Sequence, residues 1–488
     1  MTALDNLSDE LHRTVKLALD TGEAVSVEDA VRIFSAYRVQ LVLGPEAAES
    51  AVLQAAALTA VNCATRTLLG GVSVIGAQGP LRVALPPFKD LSDAVEALGA
   101  GVAAAPHPNV PSIVFGSPPA DAVDRLAIRV VVRGWSGGVA PLIHDVIDGD
   151  PGGITTAGVL AGALAVSEVF QRLRGHPMAC RRAVGLNLWR PELDWLTGEQ
   201  GPALMRLPSC AWLVGLGNLG QAYLWTLGLL PYGDGSLDLM LQDFDLLATS
   251  NVSTSLLTTP GLVGQRKSRA MAAWAERRGF RASIIERRFA ADFRVNQQEP
   301  SVALVGVDNA LARQVIEDVG FERVIEAGLG RGPQDFLGID LHTFPAATAA
   351  RAVWQSGHVG DAEISQPAYR ELLERSGDRC GTVRLAGRSI GAPFVGAVAA
   401  TFAVAELLRL VAGGRRNELV SCHLRDLSLR TVIPGTPWLP FNPGAVVAAP
   451  ALPQLTGIEV AMAPAATEPW EPVGPAAALA AERALPSL

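Results

Sequence analysis

Six residues between positions 215 and 308 have the types and spacing to hold a phosphorylated nucleotide. Gly215, Gly217 and Gly220 form a GxGxxG turn between an apolar run at 211–214 and an apolar stretch at 221–230 that reads as a helix. Glycines at such a turn let the backbone approach phosphate oxygens, and the helix N-terminus offers free N–H groups to an anion. Asp243 ends a second apolar run, 236–242, and lies 23 residues past Gly220 (243 − 220 = 23). An acid about 20 residues beyond the turn can hydrogen-bond a ribose hydroxyl. Lys267 and Asp308 complete the set.

A hydride-transfer enzyme needs only the ribose acid. Here the chain continues with Asp243-Phe244-Asp245, then Ser250-Asn251, then Lys267 after a turn at Gly264. A third apolar run, 302–307, ends in Asp308-Asn309, with Arg313 one helical turn on. Carboxylates at the C-terminal ends of parallel strands lie beside the phosphate crevice. There they can hold Mg2+, which keeps waters and takes only one or two protein carboxylates. A lysine beside them neutralises triphosphate charge. The expected ligand is therefore ATP with Mg2+. An NAD-dependent oxidoreductase is the competing reading, carried by the glycine turn and Asp243 alone.

These motifs resemble the E1-like (ThiF/MoeB) adenylating enzymes that activate ubiquitin-like proteins. The family pattern is GxGxxG, then DxDxVxxSNLxRQ, then a Lys after a glycine turn, then DN. Gly215, Gly217, Gly220, Asp243, Asn251, Lys267 and Asp308 fall on it. The resemblance implies that Asp243 binds ribose, that Asn251 and Lys267 contact phosphate, and that Asp308 is the Mg2+ ligand. Where the family has an arginine after SNLx, this chain has Thr254. Either another arginine replaces that charge or the nucleotide site is weakened.

The elements that must position this set belong to a chain of 488 residues, long enough for two or three domains. With 49% hydrophobic and 18% charged residues it is globular in composition. A net charge of −8 argues against nucleic acid or an anionic membrane as its main partner. The apolar runs are shorter than the roughly 20 residues that span a bilayer. The opening stretch MTALDNLSDELHR has neither a basic flank nor an apolar core, so the expected location is cytoplasmic.

An internal repeat sets the expected architecture. GVLAGALAVSEVFQRL from Gly158 matches GAVAATFAVAELLRLV from Gly396 at an offset of 238 residues (396 − 158 = 238), sharing Gly158/Gly396, Ala165/Ala403, Val166/Val404 and Glu168/Glu406. A repeat of this size is a duplicated domain. The expected fold is α/β: two Rossmann-like, E1 adenylation-type domains in one pseudo-dimeric chain. They span 1–200, degenerate, and 205–430, active, followed by a Pro/Ala-rich extended tail at 431–488 in which Trp438, Phe441 and Trp470 would serve as anchors. The first copy has Pro-Glu-Ala-Ala after Gly44, where a phosphate turn would need glycine, so it is not expected to bind ATP.

Residues 37–47, YRVQLVLGPEA, resemble the RQLxxLGxEA segment of E1 inactive halves, whose arginine reaches the ATP of the other half. Arg38 lies six residues before Gly44 and is either that finger or a surface residue ahead of a strand. The five cysteines are widely spaced with no CxxC pair, so neither disulfides nor zinc are expected. E1-like enzymes carry an acceptor cysteine on a segment crossing before the helix that here begins near Pro393. Cys380, beside Arg379, is the candidate nucleophile; Cys422, beside His423, is its rival, and a third reading has no catalytic cysteine.

The resemblance thus implies adenylation of a ubiquitin-like protein's C-terminus, a thioester on Cys380 and transfer to an E2-like partner. The PFVGAVAA…AELLR run looks most like bacterial E1 proteins of ubiquitin-like conjugation systems, often linked to antiviral defence. The alternatives are the oxidoreductase and a catalytically weakened E1-like scaffold. The oligomeric state stays open, a homodimer included.

Overall fold

Buried parallel strands read as near-continuous apolar runs because helices cover both sheet faces, and such runs build both halves of this chain. The computed structural model describes residues 3–117, 127–142, 153–233, 236–355, 364–435 and 446–449. The first sheet contains β1 (Val39–Leu43), β2 (Val72–Ile75), β3 (Gly101–Ala103), β4 (Ser112–Phe115), β5 (Ile128–Arg133), β6 (Ser136–Pro141) and β7 (Val184–Asn187), in the order β3-β2-β1-β4-β5-β6-β7. After β8 (Arg206–Pro208), the second contains β9 (Cys210–Val214), β10 (Asp238–Gln242), β11 (Arg281–Ile285), β12 (Val302–Val305), β13 (Arg323–Leu329), β14 (Gly338–Phe344), β15 (Asn417–His423) and β16 (Asp426–Pro434). Its order is β11-β10-β9-β12-β13-β14-β15-β16. The first sheet's order recurs strand for strand, and in each sheet the chain turns antiparallel after the fifth strand.

The repeat seen in the sequence has the same structural job twice. Helix α1 (Ala51–Thr65) follows β1, α2 (Thr155–Leu173) follows β6, α3 (Asn218–Gly228) follows β9, and α4 (Pro393–Ala412) precedes β15. Gly158 of α2 sits on α1, where a Cβ would lie 2.5 Å from the Val52 carbonyl oxygen. Gly396 of α4 sits on the start of α3, where a Cβ would lie 2.3 Å from Asn218 Oδ1. Buried Glu168 accepts from the Cys180 N–H at 2.8 Å, and buried Glu406 accepts from the Asn417 N–H at 3.2 Å. In both halves the repeated glutamate therefore ties the helix to the chain returning toward its sheet.

The halves share one hydrophobic core. α4 is 20 residues long and apolar enough to cross a membrane by length and composition, longer than the apolar runs suggest, yet its residues from Pro393 to Leu410 are buried inside the protein. Glu406 and Arg409 break the apolar pattern and pair with each other inside the helix, while Arg409 donates to the Leu188 carbonyl of the first half. Removing Arg409 would strand a buried carboxylate, at a cost of about 3–5 kcal/mol. Trp225 of α3 donates to Thr59 of α1 at 3.0 Å, and Asn62 donates to the Leu256 carbonyl at 3.1 Å, both across the same boundary.

The tail begins later than composition suggests. Residues 431–434 complete β16, and β17 (Val446–Ala448) pairs antiparallel with β8. Trp438, Phe441 and Trp470 lie outside the described residues.

Candidate active site

β9 ends at Val214, and the chain passes through the glycine turn into α3. Gly215 adopts φ +84°, a conformation side chains rarely take. A Cβ on Gly220 would lie 1.9 Å from the Gly215 carbonyl oxygen, so only glycine lets the helix close onto the turn. A Cβ on Gly217 would meet nothing within 4 Å. The backbone there faces open space, as it must if a ligand is to reach it. No side chain caps α3 at Gly217, leaving the helix's first N–H groups for an anion.

Asp243 is buried where β10 ends. Its Oδ2 accepts from the Leu216 N–H inside the turn at 2.7 Å, and its Oδ1 accepts from the Asp245 N–H at 2.8 Å. Lys267, the first residue of the helix Lys267–Arg277, places its ammonium 3.0 Å from Asp245 and 4.0 Å from Asp243. Asp308 follows β12, which pairs with β9. The intervening Gly306 donates its N–H to the Val214 carbonyl at 2.9 Å, so the Asp308 loop lies against the glycine turn. Asp308 itself is exposed, and its carbonyl accepts from Arg331 at 3.1 Å. Arg313 braces the same loop: it donates to the Val307 carbonyl at 2.9 Å and lies 2.9 Å from the buried Glu326 carboxylate. Asn251 accepts from the Ala248 N–H at 2.9 Å through Oδ1, which leaves its amide NH2 to donate. The chain six to seven residues beyond Asn251 is tied to α3 through Gln221, whose Oε1 accepts from the Leu257 N–H and the Thr258 hydroxyl at 3.0 Å each.

Among the described residues no three His, Cys, Asp or Glu side chains cluster to hold a metal alone. A single exposed carboxylate fits Mg2+, which takes its remaining ligands from phosphate and water; it does not fit a structural zinc.

A cation from the first half reaches the segment that carries Thr254. Thr254 is buried, and its hydroxyl donates to the Ser250 carbonyl at 3.4 Å. Arg13 instead reaches this segment: its Nη2 donates to Ser250 Oγ and its backbone N–H to Ser253 Oγ, each at 3.2 Å. Its Nη1 is buried with no partner among the described residues. Burial, with Arg388 nearby, pushes Arg13 down to about 10, so it stays cationic at neutral pH. Arg38, the arginine proposed from spacing, is exposed immediately before β1. Sequence reasoning missed Arg13. Its only signal is a cation ahead of a short apolar segment, with 237 positions separating it from its partner Ser250.

Cys380 is the second residue of the helix Arg379–Ala386, whose N-cap Asp378 accepts from the Gly381 N–H at 2.9 Å. It is exposed, whereas Cys63, Cys180 and Cys422 are buried and Cys210 is half-buried. Burial pushes Cys180 and Cys422 up to about 12 and Cys63 higher still, which disfavours their thiolates and leaves Cys380 as the exposed thiol. Beyond the cysteine helix the chain returns to the site, where the Gly391 carbonyl accepts from Thr14 at 2.9 Å.

The corresponding crevice of the first half is built differently. After β1 a 3-10 turn, Pro45–Ala48, replaces the glycine turn. The Glu46 carboxylate accepts from the Ser117 N–H at 3.0 Å, and a Cβ on Gly116 would lie 2.6 Å from it. A carboxylate of the protein thus sits on the backbone donor beyond β4.

Two halves of one α/β topology, with an open glycine turn among the described residues of the second and a cation from the first reaching the adjoining Ser250 segment, are the arrangement of an E1-like protein. The BilD C-terminal domain family matches residues 207–414, and the BilD N-terminal domain family matches residues 38–188. The bacterial E1-like protein BilD of Collimonas sp. (strain OK412) is 42% identical over 432 residues, spanning 86% of this chain and 94% of that protein. The chain belongs to the BilD family of bacterial E1-like proteins. Among solved structures, E. coli MccB matches at 11% identity and TM-score 0.32, over 63% of this chain and 93% of its own. The E. coli tRNA N6-threonylcarbamoyladenosine dehydratase TcdA matches at 16% identity and TM-score 0.27, over 41% of this chain and 84% of its own. At those scores neither bears on function.

Proposed function

We propose that this chain adenylates the C-terminal carboxylate of a ubiquitin-like protein with ATP and then holds the acyl group as a thioester on Cys380 for an E2-like partner. The observation that carries this is the convergence on one open glycine turn of Asp243, Lys267 and Asp308, with Arg13 reaching the adjoining Ser250 segment from the other half. The substrate carboxylate attacks the α-phosphorus, and the bond to the β-phosphate bridging oxygen breaks, releasing pyrophosphate. The turn N–H groups, Lys267, the Asn251 amide and the Arg13 guanidinium neutralise phosphate charge, while Asp243 holds the ribose. Positioning and charge carry this step with little covalent help. Asp308 would hold Mg2+, which when bound neutralises charge on the triphosphate. The Cys380 thiolate then attacks the acyl carbon, a C–S bond forms, and AMP leaves with its phosphate oxygen. A cytoplasmic location, a role in antiviral defence, and the absence of nucleic acid or membrane from its partners belong to the same proposal.

ATP–pyrophosphate exchange with the purified ubiquitin-like protein tests it. Asp308→Ala should abolish exchange. Cys380→Ala should spare exchange and remove the thiol-sensitive adduct. A thiol-sensitive adduct that survives Cys380→Ala refutes the cysteine assignment. Wild-type protein that is stabilised by a nicotinamide nucleotide and not by ATP would return the oxidoreductase reading.

A further inference from the structure

The segment that delivers Arg13 also grips the helices around Cys380, through a buried charged cluster that adenylation does not use. Lys16 is 1% exposed. Its ammonium contacts both Asp20 carboxylate oxygens at 2.6 Å and donates to the Ala386 carbonyl at 2.9 Å, matching its three protons to three acceptors. Buried Tyr369 donates its hydroxyl to the same Asp20, and its ring lies 5.8 Å from the ammonium. Ala386 ends the helix that carries Cys380, and Tyr369 belongs to Pro367–Ser376, the helix before it. Three further ties run the same way: Asp9 to Arg388 at 2.7 Å, Thr14 to the Gly391 carbonyl at 2.9 Å, and Glu28 to Arg375 at 3.4 Å.

A buried ion pair is a poor way to gain stability, because well-packed apolar side chains of similar volume often serve as well or better. What the cluster adds is direction. Three oriented bonds at one ammonium hold Ala386 at a set distance from residues 16 and 20, and Arg13 lies three positions before Lys16. We propose that Lys16, Asp20 and Tyr369 are positioning residues for the transfer step: they lock the Cys380 helix to the segment that holds Arg13 at the nucleotide site, so that thiol and acyl-adenylate meet. This rests on the reading of Cys380 as the acceptor.

The test uses the full chain and its ubiquitin-like substrate. Lys16→Met combined with Asp20→Asn removes the charges without leaving one buried alone; Tyr369→Phe removes one oxygen and guards against misfolding. Both should keep ATP–pyrophosphate exchange close to wild type while single-turnover thioester formation falls about 10- to 100-fold, the scale of a misplaced reacting group. Lys16→Arg, which keeps the pair with Asp20, should recover most of that loss. Amide hydrogen exchange across 379–386 should quicken in the double variant. Unchanged thioester formation, or exchange falling in step with it, overturns this inference alone. A wild-type chain that exchanges pyrophosphate yet forms no thioester overturns the Cys380 reading and this inference with it.

Discussion

Replacing Arg13 separates the structure's account of the nucleotide site from the one suggested by local spacing. The guanidinium is partly desolvated, and its Nη1 is buried without a partner among the described residues. A cation about 4 Å from a phosphate oxygen at an effective dielectric near 20 gains about 4 kcal/mol. Mutations of single preorganised donors to a developing charge cost a similar 2.7–4 kcal/mol, roughly 100- to 1,000-fold in rate. Arg13→Ala should therefore slow ATP–pyrophosphate exchange by about that factor at saturating ATP. Arg13→Lys keeps the charge and loses the planar fork, and should fall in between. The structural cost is small, since the guanidinium gives up one side-chain hydrogen bond, to Ser250, worth about 1 kcal/mol. A melting curve close to wild type would thus show that lost exchange is a catalytic effect. Arg38→Ala should leave exchange within about twofold of wild type, as surface substitutions do. Exchange that survives Arg13→Ala, or that collapses with Arg38→Ala, would refute the assignment.

Two other perturbations follow from the same geometry. Gly217→Ala should fold normally, because nothing lies within 4 Å of the new methyl, yet raise the KM for ATP by crowding the backbone where phosphate approaches; Gly220→Ala should fail by unfolding, because its Cβ would lie 1.9 Å from a carbonyl oxygen. Equal melting temperatures for the two variants would contradict this. His12, beside Arg13, is pushed by burial down to about 4 from its ordinary 6.5. The unfolded chain then takes up a proton below about 6.5 that the folded chain refuses until about 4, so the contribution is intact above 6.5 and lost as pH falls through that window, by up to about 3 kcal/mol. Urea midpoints measured between pH 7 and 4.5 should drop less steeply for His12→Gln than for wild type, and parallel slopes would show that His12 does not titrate this way.

What was legible in the sequence was local. The glycine turn, Asp243 and the Asp308 loop announce themselves because each is a short motif at the end of an apolar strand, and parallel pairing of β9 with β10 and β12 brings those ends together without further information. The repeat was legible because Gly158 and Gly396 must be small and Glu168 and Glu406 must be acidic for the same packing reasons in both halves. Arg13 and Lys16 were not, because their partners lie 237 and 370 positions away and no periodicity encodes such a pairing. α4 looked too short because Glu406 and Arg409 interrupt the apolar pattern, while in three dimensions they satisfy each other. β17 is three residues long, too short for alternation to show, and exists because β8 offers it an edge.

The duplication therefore divides labour rather than doubling it. The second half leaves backbone open at Gly217, which a nucleotide needs and which an occupied turn would deny. The first half has the 3-10 turn Pro45–Ala48 in place of the glycine turn, and Glu46 sits on its Ser117 N–H. The N-terminal segment contacts the other half at two places only three residues apart: Arg13 on the Ser250 segment and Lys16 beneath the cysteine helix. Lys16 is 1% exposed, and a lysine that deeply buried is costly even when Asp20 and the Ala386 carbonyl satisfy it. Keeping it makes physical sense if the two steps, adenylation and capture, must happen on a frame whose halves do not drift apart between them.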